Sequence, residues 1–209
     1  YFLVRAGESE SEADGLIDTN PVNKSSMSNG LSDGGKDQVL KETLPSLREL
    51  GACKSACWMW PSTTQNAYQT AELLAYAFSL GRERIVPEYS FLDMRGLGAF
   101  DQLPPEEAYA RIHEIDSRGA SLRPPPTTTG TPNESAADVL VRVRQMLSVL
   151  ETQYLGADVV IISPDSENLS ILQTAILGED YGSHWNRSFR PGECRKMELA
   201  STRVETKSF

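Results

Sequence analysis

Apolar residues in this chain fall into short unbroken runs separated by stretches of helical period. Tyr1–Val4, Cys57–Trp60, Ile85–Val86 and Val159–Ile162 are continuous and too short for helices. Continuous rather than alternating runs are what strands need when helices cover both faces of a parallel sheet. Glu193–Leu199 alternates and predicts an edge strand. Between these runs lie helices. Ser62 followed by Gln65 predicts a capping box, opening a helix through Ala67, Ala71, Leu74 and Phe78 that stops at Gly81. Ser135 with Asp138 opens another, with Leu140, Val143, Leu147 and Leu150 on one face. Leu40, Leu44, Leu47 and Leu50 predict a helix between Ser32 and Gly51 that Pro45 kinks or splits near Thr43. Pro104-Pro105 starts a shorter one, Glu106–Ile115, and Ser117–Pro132, with its three consecutive prolines, reads as a long polar loop. The alternation predicts an α/β fold: a three-layer sandwich with a mainly parallel sheet and helices on both faces.

Composition narrows the functions open to such a fold. A chain of 209 residues suits one domain, here 1–209, with the helix and Pro-rich loop at 101–133 as an insertion. Lys plus Arg is 20 against 29 Asp plus Glu, a formal net charge of −9 without any basic cluster. That balance argues against nucleic acid and against anionic membrane surfaces. The longest aliphatic run, Val159–Ile162, falls far short of the roughly 20 residues of a membrane span.

Two histidines and three cysteines, with no C-x-x-C pair and no ligand spacing, predict no metal centre, and nothing calls for a cofactor. His113 reads as a helix-face residue, His184 as structural, and Cys57 as a small buried hydrophobe. Cys53 and Cys57 could bridge, with two free thiols the preferred reading. The chain opens on a strand without a leading Met, which predicts an upstream segment that was processed or left out.

Ligands of open α/β sheets bind at the carboxyl ends of the strands, so chemistry belongs there. The first strand runs into Leu3-Val4-Arg5-Ala6-Gly7-Glu8-Ser9. The second leads into Pro61-Ser62 and then Asn66-Ala67-Tyr68-Gln69-Thr70-Ala71-Glu72, and the fourth into Ser163-Pro164-Asp165. This set resembles the histidine phosphatase superfamily, also called phosphoglycerate mutase-like, whose corresponding motifs are L-V-R-H-G-E-S, S-x-x-x-R-A-x-Q-T-A-E and V-S-H-G. Leu31-Ser32-Asp33, Leu92-Asp93-Met94-Arg95-Gly96 and Glu134-Ser135 with Arg142 resemble further family motifs in the same order.

The resemblance implies a phosphohistidine mechanism. A histidine after the first strand attacks phosphorus, two arginines and a second histidine hold the phosphate, and a glutamate protonates the leaving oxygen. Of these, only the first arginine survives, as Arg5. The nucleophile position is Ala6, the second arginine is Asn66, the acid falls on Met94 beside Asp93, and the second histidine falls at Pro164, before a loop one residue longer than usual. No catalytic residue is therefore predicted. Arg5, Ala6, Gly7, Glu8, Asn66, Asp93, Met94, Ser163 and Pro164 form a vestigial phosphate pocket, with Arg5 tied up by one of Glu8, Asp93, Asp165 or Glu167, or paired to a nearby carboxylate or backbone carbonyl. A small phosphorylated ligand is not expected.

The implied function is a pseudoenzyme that binds or assembles within a protein complex. The alternative is a phosphatase or mutase of altered mechanism using Arg5, Asp93 and Asp165. Trp58-Met59-Trp60, Trp185 and the Pro-rich loop are the candidate interfaces, although two tryptophans on one strand are more often core. The string Phe91–Gly98 is most similar to plant and algal sequences and implies a chloroplast location.

Overall fold

The computed structural model describes residues 1–198 and has the predicted α/β architecture. Its strands are β1 (Phe2–Arg5), β2 (Cys57–Pro61), β3 (Asp158–Ser163) and β4 (Cys194–Lys196). Its α-helices are α1 (Glu10–Ala13), α2 (Asp33–Gln38), α3 (Leu44–Glu49), α4 (Gln65–Ala77), α5 (Pro105–Arg118), α6 (Ala136–Gln153) and α7 (Glu167–Ile176). The sheet order is β2-β3-β1-β4, with β4 antiparallel to β1 and the other pairs parallel.

Register explains why the strand sequences are apolar throughout. Leu3 sits opposite Ile161 and Val4 opposite Ile162. Leu3, Trp60, Val159 and Ile161 face α6 and α7 in one core. Phe2, Val4, Met59, Val160 and Ile162 face α4 and the α2–α3 segment in the other. Neighbouring residues on a strand point to opposite faces, so both must be apolar when both faces are covered. A third, smaller cluster joins Ala108 and Ile112 of α5 to Ile17, Leu97 and Phe100.

The helix punctuation holds in part. Ser135 and Asp138 form the reciprocal capping box of α6. Around Pro45 the helix does not break. Residues Val39–Thr43 form a π-turn in which the Leu44 N–H bonds to the Val39 carbonyl, joining α2 to α3. An i→i+5 turn absorbs the hydrogen bond that proline cannot donate.

Four expectations need correction. First, Ile85–Val86 is not a strand: Ile85 makes only a bridge to Met59, because the three-residue turn before it ends there. Second, Ser62 does not cap α4. Thr64 holds the N-cap position without a side-chain bond, and Ser62 accepts from the Thr64 N–H instead. That helix ends at Ala77, with Ser79 rather than Gly81 at positive φ (56°). Third, Cys53 and Cys57 are bridged, their Cα atoms 4.9 Å apart. Fourth, the tryptophans are not free surface: Trp60 is buried, Trp58 packs on Tyr154 under Arg84, and Trp185 stacks on His113. The edge strand is shorter than predicted, and its expected end at Leu199 lies outside the described residues. No described helix is long and apolar enough to cross a membrane.

Candidate functional site

The carboxyl ends of β1, β2 and β3 converge as the parallel register requires, and they bring the predicted pocket residues together. Ala6 is buried, and its N–H donates to the Ser163 carbonyl (2.8 Å). The next residue must be glycine. A Cβ on Gly7 would lie 2.4 Å from the Gly35 carbonyl oxygen, so the loop after β1 presses on the start of α2. Glu8 faces that helix too, accepting from the Ser32 hydroxyl (3.0 Å) while its N–H donates to Gln38 Oε1 (2.9 Å).

Arg5 is held, but not by the carboxylates expected. Its Nη2 donates to Glu12 (2.6 Å) and its Nη1 to the Phe189 carbonyl (2.8 Å). Glu8, Asp93, Asp165 and Glu167 make no bond to it, because Glu12 is brought closer by α1. There, Ser9 and Glu12 form a capping box that aims the carboxylate back at the loop. The S-x-x-E pattern at Ser9–Glu12 was the sequence signal for this. Burial opposes the charge of Arg5, but Glu12, Tyr109 and Asp165 outweigh it and raise its pKa. Arg5 Nε is buried without a partner among the described residues.

Asn66 spans the loops that end β1 and β3. It lies at the start of α4, where a helix N-terminus suits an anion. Its Oδ1 instead accepts from the Ala67 N–H (2.8 Å), and its Nδ2 donates to the carbonyls of Gly7 and Pro164 (3.3 Å each). One carboxamide thus ties the β1 loop to the β3 loop. The Pro164 carbonyl is one of the two anchors. Ser163 donates to Asp165 (3.2 Å) and accepts from Asn168 (3.0 Å).

Met94 packs against the α5 cluster. The cavity beside it, bounded by Lys24, Thr64 and Asp93, measures about 10 Å³, on the order of one water. Asp93 is paired with Lys24 (2.9 Å) and Arg142 with Glu134 (3.0 Å), so neither cation is free. A shallower cleft of about 150 Å³ lies outward between Met94 and Arg142.

Beneath the pocket is a buried ionic cluster that sequence reasoning did not find. Arg95 is fully buried and grips Asp116 with both terminal nitrogens (2.7 and 2.8 Å) and Glu167 with one (2.8 Å). Its backbone N–H donates to Asp165 (3.0 Å). His184, also fully buried, reaches Asp116 (3.1 Å), and His113 reaches Glu167 (3.2 Å). Burial would raise Glu167, but His184, His113 and Arg95 overcome it and hold this carboxyl well below the usual range. Asp165 goes the other way: burial first, then the charge of Glu167, pushes it up to about 6. Adjacent acids with opposite shifts often mark catalytic sites, yet here the partners are structural ion pairs.

Comparisons with known proteins agree with this fold. The model of the histidine phosphatase superfamily (branch 1) matches residues 1–209. A mycobacterial glucosyl-3-phosphoglycerate phosphatase, in a complex with VO3, superposes with a TM-score of 0.68 at 17% identity, covering 92% of this chain and 89% of that one. Phosphoserine phosphatase from Entamoeba histolytica, in complex with 3-phosphoglyceric acid, gives 0.65 at 16% identity, covering 92% and 87%. A putative α-ribazole-5′-P phosphatase from Escherichia coli gives 0.63 at 18% identity, covering 92% and 87%. No curated protein sequence matches significantly.

Proposed function

The chain belongs to the histidine phosphatase superfamily, branch 1, and on that footing we propose that it is a member without catalysis, retained as a binding or assembly subunit of a protein complex. One observation carries the reading: Asn66 bridges Gly7 and Pro164 across the vestigial pocket, beside an alanine where the nucleophile belongs. Phosphoryl transfer through a covalent intermediate needs a lone pair aimed at phosphorus, and the Ala6 methyl has none. It also needs several charge-assisted bonds to the phosphate oxygens. Arg5 spends two of its nitrogens on Glu12 and Phe189, and Lys24 and Arg142 are paired elsewhere.

The pocket's outer rim favours a protein partner. Val22, Met27 and Tyr89 are 84%, 91% and 72% exposed, on segments that Lys24 ties together through the Tyr89 carbonyl. The reading includes a plastid setting, on the likeness of the Phe91–Gly98 string to plant and algal sequences. Import of the full-length gene product by isolated chloroplasts tests that part.

A phosphatase or mutase of altered mechanism is the second reading. The unpartnered Arg5 Nε favours it, as does the relative from E. histolytica whose histidine-to-alanine mutant is described in complex with phosphoserine. Turnover decides between them. The purified protein is expected to release no phosphate from an aryl phosphate, phosphoserine or 3-phosphoglycerate above buffer. Ala6→His alone is expected to restore none, since Asn66 still closes the pocket. Metal-independent turnover by the unmodified protein overturns the proposal.

A further inference from the structure

The two histidines of this chain, distant in sequence, meet in the buried cluster below the pocket. His113 and Asp116 lie one turn apart on α5, His184 lies on the Tyr181–Arg187 turn, and Glu167 opens α7. Nitrogen atoms of His113 and His184 and a carboxylate oxygen of Glu167 all lie within 4.8 Å of one another. Two of the separations already match the edges of a coordination sphere: His113 Nε2 to Glu167 Oε1 is 3.2 Å, and His184 Nε2 to Asp116 Oδ2 is 3.1 Å. Donor atoms about 2.0–2.1 Å from a tetrahedral ion stand about 3.3 Å apart. We propose that His113, His184 and Glu167 form a binding site for a borderline divalent cation of the Zn²⁺ class, with Asp116 within reach as a further ligand.

The surroundings are built for this. The Ser170 hydroxyl lies 3.2 Å from the Glu167 carbonyl and 2.9 Å from His184 Nδ1. With its single hydrogen on the carbonyl, it accepts from Nδ1–H, so Nε2 faces the carboxylates, donating to Asp116 until an incoming cation displaces that proton. Fixing the tautomer through the far nitrogen is how metal-ligating imidazoles are held. Arg95 takes Glu167 Oε2, which leaves Oε1 turned towards His113. Asp116 and Glu167 flank the one guanidinium and Asp165 accepts from the Arg95 backbone N–H, so a cation joining them is offset by carboxylates. Two imidazoles with carboxylate oxygen select a first-row transition ion or zinc over Mg²⁺ or Ca²⁺, which prefer oxygen alone. His113, with its side chain 20% exposed between Tyr109 and Trp185, is the entry side. His spacing in the sequence hides the site because its ligands come from three elements.

Zn²⁺ titrated calorimetrically into chelator-stripped full-length protein tests the proposal, with Co²⁺ absorption and the histidine side-chain ¹⁵N spectrum as further readouts. One equivalent is expected to bind, with tetrahedral Co²⁺ bands and shifts of both imidazole Nε2 signals. His113→Gln, at the partly exposed position, is expected to weaken binding by at least about tenfold while keeping the fold. Surface carboxylates would bind zinc equally in both proteins. Unchanged affinity in His113→Gln, unmoved imidazole signals, or no saturable binding overturns the site.

Discussion

Arg95→Met removes the only guanidinium among the described residues that grips Asp116 and Glu167, and its cost follows from the geometry. The side chain is fully buried and makes three short bonds to those two carboxylates plus one to the Glu134 carbonyl (3.1 Å). Methionine fills much of the same volume but leaves two buried carboxylates with only the imidazoles of His113 and His184 beside them. Breaking a buried pair from one side costs about 3–5 kcal/mol. For a chain of this size that lowers the melting midpoint by about 6–20 °C. Urea unfolding with a chelator present, followed by circular dichroism, measures it. The pH dependence gives a sharper check. In the native protein Asp116 and Glu167 are held below their ordinary values, so their stabilisation is present above about pH 4–4.5 and fades as pH falls. Without Arg95 both carboxyls rise, and the variant regains stability by taking up protons. The gap between native protein and variant is therefore expected to narrow from pH 7 to pH 5. A further Glu167→Gln change is expected to recover part of the loss. A deficit below about 1 kcal/mol, or one independent of pH, refutes the reasoning.

Other predictions are separable. Asp165, raised to about 6, favours the folded state fully below its ordinary value and progressively less as pH rises through 6. Asp165→Asn is therefore expected to gain on the native protein between pH 4 and pH 7, by about 3 kcal/mol at most, read from denaturant midpoints. Without reductant, alkylation of the native protein is expected to spare Cys53 and Cys57. Opening that short ring by Cys53→Ser with Cys57→Ser is expected to cost about 2 kcal/mol in the same unfolding assay. Ser135→Ala removes the α6 capping box and is expected to cost about 1 kcal/mol. Lys36→Ala, at an exposed pair with Asp33, is expected to leave the midpoint where it was.

What the sequence made legible was what local chemistry decides. The continuous runs at Tyr1–Val4 and Val159–Ile162 announced strands covered on both faces, because no other arrangement buries adjacent apolar residues on a strand. Pro45 announced a disturbed helix, and Ser135 with Asp138 announced a helix start. The departures from the family motifs at Ala6, Asn66, Met94 and Pro164, on which the proposed loss of catalysis rests, could be read one residue at a time.

Partnerships across the fold could not be read that way. Glu12 captures Arg5 because α1 folds back on the loop after β1, whereas the carboxylates nearer the strand ends turn elsewhere. Asn66 ties two loops together with its side chain, through carbonyls of Gly7 and Pro164 that are distant in sequence. The Arg95 cluster joins residues up to 72 positions apart. Ser62 with Gln65 carried a capping pattern that the turn at Thr64 pre-empted. In Cys53–Cys57 the pairing hinged on a loop path that composition does not specify.

The central claim is that the phosphate pocket is closed from within, and anion binding tests it most directly. Inorganic phosphate and orthovanadate titrated into the native protein at neutral pH, followed by calorimetry and ⁵¹V NMR, are expected to show no saturable binding. Saturable one-to-one binding of either anion, abolished by Arg5→Ala, would contradict the account.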